Sequence, residues 1–331
     1  MSGVQHVEVH FDDDDVRLDR WFKRHFPELN FVQLQKMMRK GDVRLDGKRV
    51  KGKEHVAAGQ TVRVPPIPGS PDQRGGQKTG QKNKAKQKTL TDHEIADVRS
   101  WVIYKDDAVI AINKPAGLPT QGGTGQTRHL DGLLDALVFD GRHRPKLVHR
   151  LDKDTSGALL LARTPKAAGA LSKAFQSRAT DKRYWALVAG TPQSRDGRII
   201  LKMDKIAVKG HERMVVTPDG KHSLTDYSVI ESAAQMAAWV ALKPHTGRTH
   251  QLRLHCAEMG HPIIGDGKYG GQAAYLTGAI SRKLHLHSRF ISFPHPDGGQ
   301  VTVTAPLSDH MAASFDFLGF TVADYADPDF E

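Results

Sequence analysis

The chain has 331 residues, more than a typical domain of ~100–200, and its 38% hydrophobic and 26% charged residues exclude a disordered or fibrous polymer. A formal charge of +11 and a pI near 9.6 call for a polyanionic partner, either nucleic acid or an acidic membrane surface. The single Cys256 excludes an intrachain disulfide and a multi-thiolate zinc site; no run reaches the ~18 apolar residues of a membrane span and the start MSGVQHVEVHFDDDD lacks a signal pattern, so the cytoplasm is the expected compartment.

Alternation at Val7, Val9 and Phe11 predicts a strand, followed by a helix with Leu18, Trp21, Phe22 and Phe26 on one face, ended by Pro27. Residues 31–40 predict a second helix with Phe31, Leu34 and Met38 inward and Gly41 as its stop. DVRLDGKRV reads as a hairpin turning at Asp46-Gly47. Around this small core lie many basic residues, among them Arg39, Lys40, Arg44 and Lys48, a pattern shared by phosphate-facing surfaces and solvated charged faces. Residues 66–89 hold six Lys or Arg against one Asp, with Ile67 and Ala85 as the only hydrophobic residues, so they predict a flexible basic linker, either a spacer or a phosphate-binding tether.

From about Val98 the composition is globular again. VIYKDD and AVIAIN predict a hairpin around Asp106-Asp107; HLDGLLDALV (129–138) and PKAAGALSKAFQSR predict helices; ALLLAR (158–163) predicts a buried strand. RYWALVAG and AWVALKP add strands, and HQLRLHCAEMG fits either a strand or a helix. This interleaving predicts an α+β fold with a mixed or antiparallel sheet. The expected division is a small α/β unit at 1–65, a linker at 66–97 and a large domain at 98–331.

LVHRLDKDTSGALLLART concentrates the candidate chemistry. Asp152 stands among His149, Arg150 and Lys153, just before a polar turn and a buried strand; nearby cations keep such a carboxylate ionised, as a nucleophile requires, although a structural ion pair uses the same residues. Asp152 and Asp154 form a D-x-D pair, weak grounds for an acid/base couple or a magnesium site with Asp131 or Asp266. His245, His250, His255, His261, His285 and His287 invite a metal reading, but no zinc-type spacing is present. In TGRTHQLRLH, Arg253 lies between Leu252 and Leu254, so a charged group carried in an apolar pattern needs a carboxylate, and Asp152 is the expected partner. Tyr184 offers an aromatic face to a base, or is ordinary core.

The succession RLDRWFKRHFP, MMRKGDVRLDGKRV, AAGQTVRVPP over residues 15–65 resembles the S-four-like RNA-binding domain, which implies contact with structured RNA through the second helix and the hairpin. NKPAGL (113–118), HRLDKDTSG (149–157), KRYWALVAG (182–190), TGRTHQLRLH (246–255) and GHPIIGDGKYG (260–270) resemble, in order and spacing, the RluA-type pseudouridine synthases, and within them the group acting on large-subunit ribosomal RNA known as type C. Thr120-Gln121 departs from the Val-His that many relatives carry. The resemblance implies Asp152 as nucleophile or base at the ribose side of the glycosidic bond, and Tyr184 against the uracil ring, helping to remove the proton from carbon 5. It further implies Arg253 paired with Asp152 and Arg150 in the space left by a flipped nucleotide, with no metal or cofactor, RNA as partner and no obligatory protein partner. Transfer RNA is the alternative substrate. Outside the family, a non-catalytic RNA-binding or ribosome-assembly factor and a hydrolase built on the D-x-D pair remain as competing readings.

Overall fold

Leu18, Trp21 and Phe22 recur three to four residues apart, so one face of a short helix is apolar and closes on Leu34 and Met38 of the next. In the computed structural model, which describes residues 4–9, 13, 16–26, 29–52, 54–67, 90–122, 128–208, 211–325 and 330, these residues form the core of the first of two units, Met1–Lys88 and Thr89–Glu331. Its elements are β1 (Gln5–Glu8), β2 (Val16–Arg17), α1 (Leu18–His25), α2 (Phe31–Lys40), β3 (Arg44–Leu45), β4 (Lys48–Arg49), β5 (His55–Val56) and β6 (Thr61–Val64). The strands order as β1-β6-β3-β4, with β2 and β5 paired apart.

The expected second helix has the expected bounds. Asn30 opens it, its side chain accepting from the Gln33 N–H at 2.9 Å while Gln33 reaches back to the Asn30 N–H at 3.3 Å, and Gly41 ends it at φ 77°. Asp46 and Gly47, at φ 47° and 77°, make the hairpin turn with both residues left-handed, as a tight two-residue turn demands. One inward assignment fails: Phe31 is 64% exposed. The core position at this helix start is filled from outside the helix, by Leu29 just before the cap together with Leu34, the two positions of a hydrophobic staple, and Phe31 is turned out. Phe11, Pro27 and residues 68–89 of the expected linker lie outside the described residues.

The second unit contains α3 (Asp92–Ser100), β7 (Val102–Lys105), β8 (Val109–Lys114), β9 (Lys146–Leu147), β10 (Ser156–Ala162), α4 (Pro165–Gln176), β11 (Asp181–Ala189), β12 (Asp196–Val208), β13 (His211–Val216), β14 (Lys221–Ala233), β15 (Ala237–Pro244), α5 (Gln251–Glu258), β16 (Leu286–Pro294), β17 (Gln300–Thr304) and α6 (Asp309–Leu318). Residues 92–97, placed with the linker by the sequence reading, form most of α3, whose Val98 is buried in the core of this unit. The sheet runs β13-β12-β14-β15-β11-β16-β10-β8-β7, with β17 on β16 and β9 on β10. All pairs are antiparallel except β10 with β16, so the sheet is mixed and the fold α+β.

β10 is buried along its whole length, which explains its unbroken apolar run. At Gly157 an added Cβ would stand 2.3 Å from the Ser288 carbonyl oxygen, so only glycine lets β10 and β16 approach there. Residues 130–137, expected as a helix, form a 3-10 helix: the first N–H groups turn to the Pro119 and Thr120 carbonyls, and His129 Nδ1 accepts from the Gly132 N–H at 3.0 Å. α6 seats Met311 and Phe315 on Trp185 and Trp239, closing the sheet face away from the cavity described next.

Candidate active site

The loop entering β10 carries Asp152 and is held from several sides. The Thr120 hydroxyl, 3% exposed, donates to the Leu151 carbonyl at 2.6 Å and accepts from the Leu151 N–H at 3.3 Å. Beyond Asp152, the Lys153 carbonyl accepts from the Gly117 N–H at 2.9 Å and from Lys114 Nζ at 3.2 Å. Lys114 is fully buried and also donates to the Pro115 and Leu118 carbonyls, each at 2.9 Å, so three acceptors match the three donors of an ammonium. Burial drives its pKa down to about 7, against the pull of Asp154 and Asp152. The Asp152 carbonyl itself accepts from the Thr155 N–H at 3.2 Å. Behind the loop, His149 accepts from the Leu160 N–H at 2.8 Å and stacks on Phe175; burial lowers its pKa to about 3, so the ring is neutral.

Asp152 is half-buried and opens into a cavity of about 890 Å³, large enough for a nucleotide. Tyr184 and Arg253 line the same cavity, with Arg150, Arg178, Lys182, Lys243 and Arg248 as cations around it. The charge of Asp152 acts on Lys114, Tyr184, His250, Arg253 and Lys268. Tyr184 comes from β11, opposite Ser288 of β16 at an irregularity in the pairing. Burial pushes its phenol up to about 12, Ser288 opposes the shift and Asp152 adds to it, so the hydroxyl is neutral at physiological pH.

Arg253 does not pair with Asp152. It lies on α5, not on a strand, and its fork closes on Asp266, Nε to Oδ2 and Nη2 to Oδ1, both at 2.7 Å. Asp266 is 1% exposed and also accepts from the Lys268 and Tyr269 N–H groups at 3.2 Å, so a buried carboxylate fixed by backbone fixes the guanidinium in turn. The charge of Asp152 still raises the Arg253 pKa, so the two share a field without a bond. His250, at φ 52°, holds a left-handed conformation immediately before α5; its Nδ1 lies 2.7 Å from the Tyr269 hydroxyl, and the Tyr269 ring lies 5.3 Å from the Arg253 guanidinium.

Asp266 was legible only as a remote magnesium candidate, although it stands in the quoted GHPIIGDGKYG segment. Thr120 was visible only as a departure from a pattern, and Lys114 only as a member of NKPAGL. Asp154 is exposed. The histidines of the metal reading disperse: His255 bonds Ser223, His285 bonds Ser314, His287 bonds Ser156, and His245 bonds Asp226. In the first unit, Arg39, Lys40, Arg44 and Lys48 are all exposed on the end of α2 and the hairpin. Arg44 spends its guanidinium on the Gly47 and Gly41 carbonyls, which pins the hairpin to the helix end.

A mixed sheet with a clamped carboxylate loop above a cation-rimmed, nucleotide-sized cavity suits an enzyme acting on a nucleic acid base. Comparison with known proteins agrees. Residues 108–258 match the family model described as RNA pseudouridylate synthase. The chain is 34% identical to RNA pseudouridine synthase 4, mitochondrial, of Arabidopsis thaliana, over 96% of this chain and 82% of that one. It is 33% identical to ribosomal large subunit pseudouridine synthase C of Vibrio vulnificus, over 94% and 95%. Among solved structures, the human RNA pseudouridylate synthase domain containing 1 superposes with a TM-score of 0.53 at 30% identity, over 69% of this chain and 96% of that one. The chain belongs to the RluA-type family of pseudouridine synthases. Its reaction is the isomerisation of uridine to pseudouridine in RNA.

Proposed function

We propose that this enzyme modifies uridines of large-subunit ribosomal RNA in the cytoplasm, with the unit before residue 66 acting as an S-four-like RNA-holding module and RNA as its only required partner. The type C relatives, which are named for the ribosomal large subunit and align over almost the whole chain, support the choice of ribosomal over transfer RNA.

Isomerisation breaks the N1–C1′ bond, turns the uracil and forms C5–C1′, with one proton leaving C5 and one arriving at N1. Atoms and oxidation state are conserved. Asp152 is assigned as the group acting at the ribose side. The observation that carries this assignment is its position as the shared charge of the cavity, on a loop whose backbone is tied on both flanks by Thr120, Gly117 and Lys114. Tyr184 is assigned to the uracil face. Since its phenol is neutral, it takes up the C5 proton only by passing its own on, and Ser288 stands beside it. Arg253 is assigned to holding positive charge near Asp152 without occupying its lone pairs, because Asp266 takes up its fork. Arg150, exposed at the cavity, is assigned to the place vacated in the RNA by the flipped nucleotide.

The test is a map of pseudouridines in ribosomal and transfer RNA from cells with and without the protein. Sites lost from large-subunit RNA alone support the proposal. Losses confined to transfer RNA overturn it.

A further inference from the structure

The two most exposed large apolar side chains among the described residues are neighbours, Phe31 at 64% and Val32 at 73%, at the start of α2. They border an open groove of about 450 Å³ between that helix and the segment around Gly52, which Gln35, Arg39 and Lys51 also line. Phe31, Gln35 and Arg39 follow at intervals of four residues, so they form one stripe along α2, flanking the buried Leu34 and Met38. The stripe runs from an aromatic face, through an amide carrying both donor and acceptor, to a guanidinium. The groove's carboxylate, Asp19, is neutralised by Arg17, with contacts of 2.7 and 3.2 Å. The ammonium of Lys51 and the guanidinium of Arg39 have no carboxylate partner among the described residues; with Glu54 accepting from the Lys51 and Gly52 N–H groups at 2.8 and 2.7 Å, two cations against one carboxylate still leave the rim net positive.

We propose that this groove binds one unpaired nucleotide of the RNA, its base stacked on Phe31 beside Val32, its edge read by Gln35 and its flanking phosphates held by Arg39 and Lys51. The proposal rests on the RNA-holding role given above to the first unit and adds a subsite to it. An apolar surface with a cationic border matches a nucleotide, which joins a flat apolar face to an anion, whereas a purely apolar partner would leave the border charges unused. A base-paired stem offers the border its phosphates but hides the base faces from Phe31, so the groove selects loops and bulges.

The experiment uses the full chain and two probes: an RNA hairpin with a five-nucleotide loop containing 2-aminopurine, and a blunt duplex of equal length. Wild type should quench the 2-aminopurine and prefer the hairpin. Phe31→Ala should weaken hairpin binding about tenfold, abolish the quench and leave the salt slope unchanged, because no phosphate contact is lost. Phe31→Trp should retain both binding and quench. Lys51→Ala and Arg39→Ala should each make the dependence of log affinity on log salt shallower by about one unit. Phe31→Ala binding the hairpin within twofold of wild type, with the quench intact, overturns the proposal. Self-association of wild type that Phe31→Ala abolishes assigns the patch to a second copy of the chain and overturns it equally. Absence of pseudouridine from ribosomal RNA treated with wild type defeats the substrate assignment instead, and leaves these binding readouts standing on their own.

Discussion

Asp266 and Thr120 carry consequences beyond those of Asp152, the carboxylate assigned to the chemistry. Breaking a buried pair by removing one charge costs ~3–5 kcal/mol, so Asp266→Asn should lower stability by about that much in urea melts. It should also slow turnover in whatever fraction stays folded, since a released guanidinium can swing onto Asp152 and occupy its lone pairs. A variant as stable and as fast as wild type would mean that the pair is not closed in solution. Thr120→Val keeps the shape but leaves the buried Leu151 N–H and carbonyl without the hydroxyl; a loss of ~1–3 kcal/mol and a fall in kcat with little change in KM are expected, with Thr120→Ser close to wild type. A change in KM alone would remove Thr120 from the loop's support. Tyr184→Phe should keep RNA binding and lose most product formation, a split that single-turnover assays resolve; an unaffected product rate would reassign Tyr184 to packing.

Among the elements, α5 shows where reading a sequence stops. Leu252, Arg253 and Leu254 alternate as a strand would, and a three-residue pattern does not separate period 2 from period 3.6. What settles it is tertiary: the left-handed turn at His250, held through Tyr269, and Gln251, whose side chain reaches Leu224 and Thr225 of β14. The bond from Arg253 to Asp266 was hidden for the same reason, because a partner thirteen residues away becomes visible only once the chain between them has folded. Phe31 failed differently: the helix was read correctly, but a staple residue outside it took the core position. By contrast α2, the Asp46-Gly47 hairpin, β10 and α4 were legible from local signals alone, namely caps, a turn pair and an unbroken apolar run. Gly157 belongs to the tertiary class. Gly157→Ala forces a Cβ onto backbone at 2.3 Å where β10 runs parallel to β16, and should destabilise the second unit by at least ~1–3 kcal/mol, measurable in thermal or urea melts. Unchanged stability would mean that the two strands separate there in solution.

At the scale of the molecule, His255, His285 and His287, fully buried among the described residues, join His149 in setting an acid limit. Burial lowers the pKa of His255 and His285 to about 4 and of His287 to about 3, against an ordinary value near 6.5. The folded state therefore excludes protons that the unfolded chain accepts. Stability is full above about pH 6.5 and falls as pH drops toward the folded values, with a slope on the order of 1.4 kcal/mol per pH unit for each histidine and about 4 for the three together. The urea midpoint should drop steeply between pH 6.5 and 5; an equal midpoint at both would show that these rings are reached by water.

The catalytic expectations depend on the assignment of Asp152. The most direct test compares wild type with Asp152→Asn on a large-subunit ribosomal RNA transcript, following pseudouridine formation and RNA affinity in the same preparation. The substitution removes the charge at nearly constant volume, so affinity should stay within a few-fold while turnover falls below about one hundredth of wild type. Turnover above that level, with the RNA still bound, would place the reacting carboxylate elsewhere.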